Sequence, residues 1–102
     1  MSNLTYLDLQ SNRLRNIPQA TFRGLTKLLT LFLNLNGLES IDDGVFEEVP
    51  NLNSLSLTGN RVRISQKTFR SLIKLKSLGL AINQLESIDD GVFEGLPNLD
   101  FL

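Results

Sequence analysis

Two pairs of adjacent carboxylates are the residues whose type and spacing most suggest chemistry. Asp42-Asp43 and Asp89-Asp90 could bind calcium or share general acid–base work, because both tasks use clustered carboxylates. Each pair is followed by a glycine, and no other kind of ligand residue clusters beside it, so a solvated turn is the better interpretation. The chain has no cysteine and no histidine, which excludes disulfides, thiolate nucleophiles, Cys/His zinc sites and Ser-His-Asp catalysis. We therefore expect no enzymatic activity, no cofactor and no metal.

Bulk composition limits the partners further. The chain has 102 residues, 41% of them hydrophobic, and a net charge of −1, which indicates one ordered domain spanning residues 1–102. A net charge so close to zero argues against a nucleic-acid partner held by general attraction to phosphate. No apolar run is long enough to cross a bilayer, so no membrane partner is expected.

The elements that position these residues recur along the chain. Four units occupy residues 4–27, 28–51, 52–74 and 75–98, and a partial fifth occupies 99–102. Each opens L-x-x-L-x-L, which predicts a strand with alternate leucines facing inward. An asparagine column and a phenylalanine column follow, at Asn12, Asn36, Asn60 and Asn83 and at Phe22, Phe46, Phe69 and Phe93. The asparagines are expected to satisfy buried backbone groups, and the phenylalanines to fill the wider side of a solenoid.

These motifs resemble the leucine-rich repeat family, in its 24-residue class. The resemblance covers residues 4–102, and the repeats are most similar to those of Toll-like receptors and variable lymphocyte receptors. It implies an α/β-type solenoid with a short parallel β-sheet on the concave face and loops or short 3₁₀ turns on the convex face. It also implies protein binding, and an extracellular location if the likeness to receptors holds; the sequence itself leaves the compartment open.

The chain departs from those receptors because it lacks cysteine-rich caps. End repeats of a solenoid need a polar cover, so we expect uncovered end repeats to associate with other copies, head to tail or as a symmetric dimer. A chain that begins at Met1 and has no caps also favours an engineered or trimmed protein. The alternative function is therefore a structural repeat scaffold that forms a homo-oligomer.

Charge alternates from repeat to repeat and explains why "LESIDDGVF" appears twice. The four units carry net charges of +3, −5, +5 and −3. Equivalent positions in neighbouring repeats should stack about 4.8 Å apart, so opposite charges should lie side by side and favour one order of repeats. The two predicted charge columns are Arg15, Glu39, Arg63 and Glu86, and Arg23, Glu47, Arg70 and Glu94.

The outward strand positions form the predicted binding face. Two large rings, Tyr6 and Phe32, have no core position and lie among small polar residues, which suits protein recognition. Alternatively, the rings simply pack on each other across the sheet. The predicted partner-binding residues are Tyr6, Asp8, Gln10, Thr30, Phe32, Asn34, Leu35, Ser56, Thr58 and Ile82.

Overall fold

Short strands and 3₁₀ helices make up the structure, a computed structural model that describes residues 3–42, 44–62 and 67–80. In chain order the strands are β1 (Tyr6–Asp8), β2 (Asn16–Ile17), β3 (Thr30–Phe32), β4 (Ser40–Ile41), β5 (Ser54–Ser56) and β6 (Ser77–Gly79). The two 3₁₀ helices are Gln19–Phe22 and Val45–Glu48. No α-helix forms within the described ranges, as expected for segments that are short and rich in β-branched residues, Gly and Pro.

The main sheet is parallel, and its strands follow the repeats. Its order is β1-β3-β5-β6, so each strand pairs with that of the next repeat. Tyr6 pairs with Thr30, Thr30 with Ser54, and Ser54 with Ser77, which are offsets of 24, 24 and 23 residues. This architecture confirms the predicted leucine-rich-repeat solenoid. We call the outward side of this sheet the concave face.

The core is built from the inward leucines of the strands and the predicted phenylalanine column. Leu31 and Leu33 have no exposed surface, whereas Phe32 between them turns outward, as the two-residue period of a strand requires. Phe22, Phe46 and Phe69 are at most 1% exposed. The rings of Phe46 and Phe69 stack with centroids 6.0 Å apart. Phe46 and Phe69 thus form an aromatic spine across the second and third repeats.

Asn60 joins two repeats through four hydrogen bonds of 3.0 Å or less. Its Oδ1 accepts from the backbone N–H groups of Asn36 and Leu38, each at 3.0 Å. Its Nδ2 donates to the carbonyl oxygens of Leu33 at 3.0 Å and Leu57 at 2.9 Å. All four partners are buried, so this one side chain satisfies backbone groups that the strand ladder leaves open.

The asparagine ladder is incomplete at the first repeat. Asn36 Nδ2 donates to Leu9 O and Leu33 O, but its buried Oδ1 has no hydrogen-bond partner. By analogy with Asn60, the missing donors are the N–H groups of Asn12 and Leu14. Leu14 is only half-buried and Asn12 is exposed, because no repeat packs outside them in this structure. The first turn is therefore less tightly closed than the second.

A second, smaller sheet lies on the convex side and was not predicted. β2 pairs with β4 in parallel, Asn16 opposite Ser40 and Ile17 opposite Ile41. Ile17 and Ile41 point into the core, and the Ser40 hydroxyl donates to Asn16 Oδ1 at 2.5 Å. This sheet ties the convex loops of the first two repeats together.

Candidate functional site

The concave face brings most of the predicted binding residues onto one surface. Rows from the first three repeats carry nine of them, at or just beyond β1, β3 and β5. Their exposure falls from the first repeat to the third: Tyr6, Asp8 and Gln10 are exposed, whereas Ser56 and Thr58 are half-buried. The tenth predicted residue, Ile82, lies outside the described residues. The remaining described positions of the face are Ser54, Ser77 and Gly79.

Two aromatic rings form the largest feature of this face. Tyr6 and Phe32 meet edge to face, with centroids 5.5 Å apart and planes at 84°. They are diagonal neighbours, because Tyr6 pairs with Thr30 while Phe32 pairs with Asp8. The packing of the two rings on each other is therefore real, yet Tyr6 remains 53% exposed. The pair forms a fixed apolar platform that can still be contacted from solvent.

Polar side chains beside the platform hold one another in place. The two carboxylate oxygens of Asp8 accept from the backbone N–H and the Nε2 of Gln10, at 3.0 and 2.9 Å. Gln10 Oε1 in turn accepts from Asn34 Nδ2 at 3.2 Å. This chain of hydrogen bonds crosses from the first repeat to the second and limits the rotamers of all three side chains. The rim of the platform is thus preorganised.

Leu35 is held in a backbone conformation that leucine rarely adopts. Its φ is +60°, and the equivalent residues Ser11 and Gly59 also have positive φ, at +60° and +77°. The repeat therefore requires a left-handed residue at this turn, a position that favours glycine. The Leu35 side chain is 56% exposed and lies over Gly59, where a Cβ would stand only 2.6 Å from its Cδ2. An exposed leucine is thus retained where glycine would fit with less strain.

Replacing Leu35 tests this strain. We expect Leu35→Gly to be more stable than Leu35→Ala by about 0.5–1 kcal/mol, because alanine keeps the left-handed penalty and glycine does not. Both variants remove the side-chain packing over Gly59, so that contact cancels in the comparison. Urea unfolding followed by circular dichroism measures the difference. An alanine variant as stable as the glycine variant would show that no strain resides at this turn.

A floor of small residues lies next to the platform. A Cβ on Gly79 would come within 2.8 Å of Thr58 Oγ1 and 3.2 Å of Ser56 Oγ. The two hydroxyls therefore lie close to Gly79, and a side chain there would displace them. Side-chain size on the concave face accordingly decreases along the repeats. Large rings lie in the first two repeats, and hydroxyls and a glycine lie in the third and fourth.

One step of the first predicted charge column is joined along the backbone. Glu39 N donates to Arg15 O at 2.8 Å, and the two 3₁₀ helices place Arg23 just after the first and Glu47 within the second. Among the column members that the structure describes, no side-chain ion pair forms, so the pairing of these charges stays a prediction. Arg63, Glu86 and Glu94 lie outside the described residues.

Asp42, one of the four paired carboxylates, has a structural contact on the convex side. Asp42 Oδ2 accepts from the backbone N–H of Gln19 at 3.1 Å, which links the turns of the first two repeats. Asp43, Asp89 and Asp90 lie outside the described residues. Within the part of the chain that the structure describes, no three potential metal ligands cluster together, and no helix is long and apolar enough to cross a membrane.

A row of polar side chains where the chain enters each strand was missed by the sequence analysis. Lys27 Nζ donates to Asn3 Oδ1 at 3.0 Å, and Lys74 Nζ donates to Asn51 Oδ1 at 2.8 Å. Asn51 Nδ2 also donates to Thr26 O at 2.8 Å, so the row continues across the second repeat. A signal was present in the sequence, because the residue before the first leucine of each unit alternates between asparagine and lysine.

Known proteins share both the sequence pattern and the fold. The family described as "Leucine rich repeat" matches residues 2–62 and 62–102. Opticin from Canis lupus familiaris is 41% identical over 58 residues, which are 57% of this chain and 18% of opticin. Toll-like receptor 8 from Homo sapiens is 40% identical over 63 residues, 61% of this chain and 6% of the receptor. The chain thus spans less than a fifth of the length of either relative.

Solved structures give the same result over the whole chain. The crystal structure of a TLR13–ssRNA13 complex superposes with a TM-score of 0.94 and 36% identity, over 100% of this chain and 14% of that one. The APL1 leucine-rich repeat domain gives a TM-score of 0.84 and 31% identity, over 93% of this chain and 25% of that one. These similarities confirm the resemblance to Toll-like receptor repeats and support a protein-interaction module in general.

Proposed function

Because this chain belongs to the leucine-rich repeat family, we propose that it is a protein-recognition module that binds its partner on the concave face. The observation that carries the proposal is the Tyr6–Phe32 platform, a pair of large rings held by the sheet with one ring still half exposed. Rigid aromatic anchors surrounded by polar groups are typical of the energetic centres of protein interfaces. The proposal gives the chain no catalytic role.

Charge on the concave face supports a protein partner over a nucleic acid. The described outward strand positions include no lysine or arginine, and the carboxylate of Asp8 is already bonded by Gln10. A phosphate backbone would find no cation there, whereas an uncharged protein surface with an apolar side chain could occupy the platform. The RNA in the complex of TLR13 is a property of that protein, and it becomes an outcome of the test here.

The test compares which proteins bind to the immobilised wild-type chain and to two variants of it. Wild-type chain, a Tyr6→Ala/Phe32→Ala variant and an Arg13→Ala control at an exposed position outside both surfaces are immobilised and exposed to the same cell-surface protein extract. A partner should be retained by the wild type and the control. Its affinity, measured afterwards with the purified protein by calorimetry, should fall at least tenfold for the double variant, because truncating anchors costs about 1.4 kcal/mol or more.

Two results would contradict concave recognition. One is a set of retained proteins that the double variant leaves unchanged. The other is a single-stranded RNA, added in a parallel assay, that binds the wild type and is lost by the double variant while every retained protein is kept. Both variants must give the circular dichroism spectrum and urea midpoint expected of a folded chain, since neither replaces a fully buried residue.

A second candidate function is self-association through the outer face of the first repeat. Leu4, Leu7, Leu9 and Leu14 on this face are half-buried, whereas their counterparts in the second repeat, Leu28, Leu31, Leu33 and Leu38, have no exposed surface. A turn of a second copy packed here would cover the leucines. That contact would also bring the N–H groups of Asn12 and Leu14 closer to Asn36 Oδ1, which could then accept hydrogen bonds from them.

Molar mass in solution separates the two candidates. A protein that stays at 11.4 kDa over a wide concentration range would rule out self-association and leave the concave face as the site. Mass that grows with concentration and falls with salt would favour the scaffold, because the first repeat is basic and the fourth is acidic by sequence.

A further inference from the structure

The row where the chain enters each strand forms a second surface, distinct from the concave face. We propose that this strand-entry flank binds an acidic, partly apolar segment of a partner protein. Its members are exposed on the described part of the chain and comprise three cations and two large apolar side chains: Lys27, Leu29, Ile73, Lys74 and Lys76. The proposal does not depend on concave recognition, since it uses other residues.

Hydrogen bonds to neighbouring asparagines restrain two of the cations. Lys27 Nζ is held by Asn3 Oδ1 at 3.0 Å and Lys74 Nζ by Asn51 Oδ1 at 2.8 Å. A lysine side chain normally loses considerable rotamer freedom when it is ordered by a ligand. Here that freedom is already restricted before binding, and each ammonium keeps donors for a carboxylate. The flank therefore offers preorganised point charges.

Backbone hydrogen bonds define the spacing of the flank. Leu29 N donates to Thr5 O, Asn53 N to Leu29 O, and Lys76 N to Asn53 O, each at 2.8 Å, so the strand entries stack one repeat apart. Lys27 and Lys74 lie two repeats apart, which corresponds to about 10 Å. Carboxylates at every third residue of a polyproline II segment are about 9.3 Å apart and share one side, so they match this spacing.

Among the residues that the structure describes, charge on the flank is of one sign although the chain as a whole is not basic. The described carboxylates lie elsewhere: Asp8 on the concave face, Glu39 and Asp42 on the convex loops, and Glu47 and Glu48 in the second 3₁₀ helix. Glu48 approaches nearest along the chain, three residues before Asn51. The net charge of −1 cannot attract an anion in general, so binding of an acidic segment requires this local arrangement.

Apolar groups on the flank favour a peptide over a nucleic acid. Leu29 is 39% exposed and Ile73 is 55% exposed, and each lies within two residues of a flank lysine along the chain. The described flank residues include no aromatic ring on which a base could stack, and stacking supplies much of single-strand affinity. An acidic segment with interleaved leucines can use both the charges and the apolar surface.

Fluorescence anisotropy with a labelled (Glu-Leu-Pro)₄ peptide tests the inference. We expect the peptide to bind the wild-type chain and to lose at least tenfold in affinity for Lys27→Gln/Lys74→Gln/Lys76→Gln. The matched control, Arg15→Gln/Arg23→Gln/Arg61→Gln, removes the same charge from exposed positions elsewhere and should change the affinity no more than twofold. The uncharged peptide (Gln-Leu-Pro)₄ should bind at least tenfold more weakly than the acidic one.

Four outcomes would overturn the inference. They are the absence of binding to the wild type, equal losses in the two triple variants, equal affinity for an oligothymidylate of the same charge, and loss of binding in Tyr6→Ala/Phe32→Ala. The last result would show that the peptide binds on the concave face instead of the flank. Failure of concave recognition would leave this inference standing, because the lysine and arginine variants replace no residue of the concave face.

Discussion

Replacing Asn60 by alanine is expected to lower the free energy of unfolding by about 2–5 kcal/mol. The change leaves the buried N–H groups of Asn36 and Leu38 without an acceptor, and each orphaned group costs about 1–3 kcal/mol. It also removes one donor each from Leu33 O and Leu57 O, and Leu33 O keeps a bond from Asn36 Nδ2. A domain of this size has only about 5–15 kcal/mol of stability, so the loss is a large fraction of the total.

The same substitution along the column should give a graded series. Asn36→Ala should cost less than Asn60→Ala, because Asn36 Oδ1 has no partner to lose. Asn12→Ala should cost least, under about 1 kcal/mol, because Asn12 is exposed and its Nδ2 makes a good bond only to Leu9 O, at 2.8 Å. Urea midpoints of the three variants measure the order. Equal losses at all three positions would show that the ladder is uniform and that its first step is already closed.

Replacing Phe46 by alanine is the second large effect, an expected loss of about 3–5 kcal/mol. The ring has no exposed surface and stacks on Phe69 with centroids 6.0 Å apart, so its removal opens a cavity in the spine between two repeats. In a solenoid each repeat packs only on its neighbours, and few atoms are available to fill that cavity. Unfolding should therefore begin at the second repeat and reach its neighbours.

Two controls separate the cavity from the loss of an aromatic ring. Phe46→Leu keeps most of the volume and should cost about 1.5 kcal/mol or less. Phe32→Ala removes a half-buried ring on the concave face and should cost less than Phe46→Ala. Thermal unfolding by calorimetry compares the three. A Phe32 variant that is as unstable as the Phe46 variant would mean that the concave rings belong to the core, which would weaken their assignment to binding.

Periodicity made the fold predictable. The L-x-x-L-x-L unit placed Leu31 and Leu33 inward and Phe32 outward because side chains alternate in a strand, and the structure has this arrangement. The small convex sheet was not predicted. Its two-residue strands pair only with a segment 24 residues away, as Asn16 does with Ser40, and such short segments carry no local pattern.

The site was predictable in position but not in detail. The rings Tyr6 and Phe32 could be assigned to the outward face from the strand pattern alone. The left-handed conformation of Leu35 could not be predicted, because leucine favours negative φ. The one indication in the sequence is Gly59 at the equivalent position of the next repeat. The pairing within the charge columns stays a prediction, since long arginine and glutamate side chains have many rotamers and exposed pairs gain little.

Hydroxyl-radical footprinting of the chain with its purified partner tests concave recognition most directly. The reactive side chains Tyr6, Phe32 and Leu35 lie on the proposed site, whereas Leu29 and Ile73 lie on the strand-entry flank, so each surface reports separately. The account predicts that the partner lowers oxidation of Tyr6, Phe32 and Leu35 and leaves Leu29 and Ile73 unchanged. Protection of Leu29 and Ile73 with full oxidation of Tyr6 and Phe32 would contradict it.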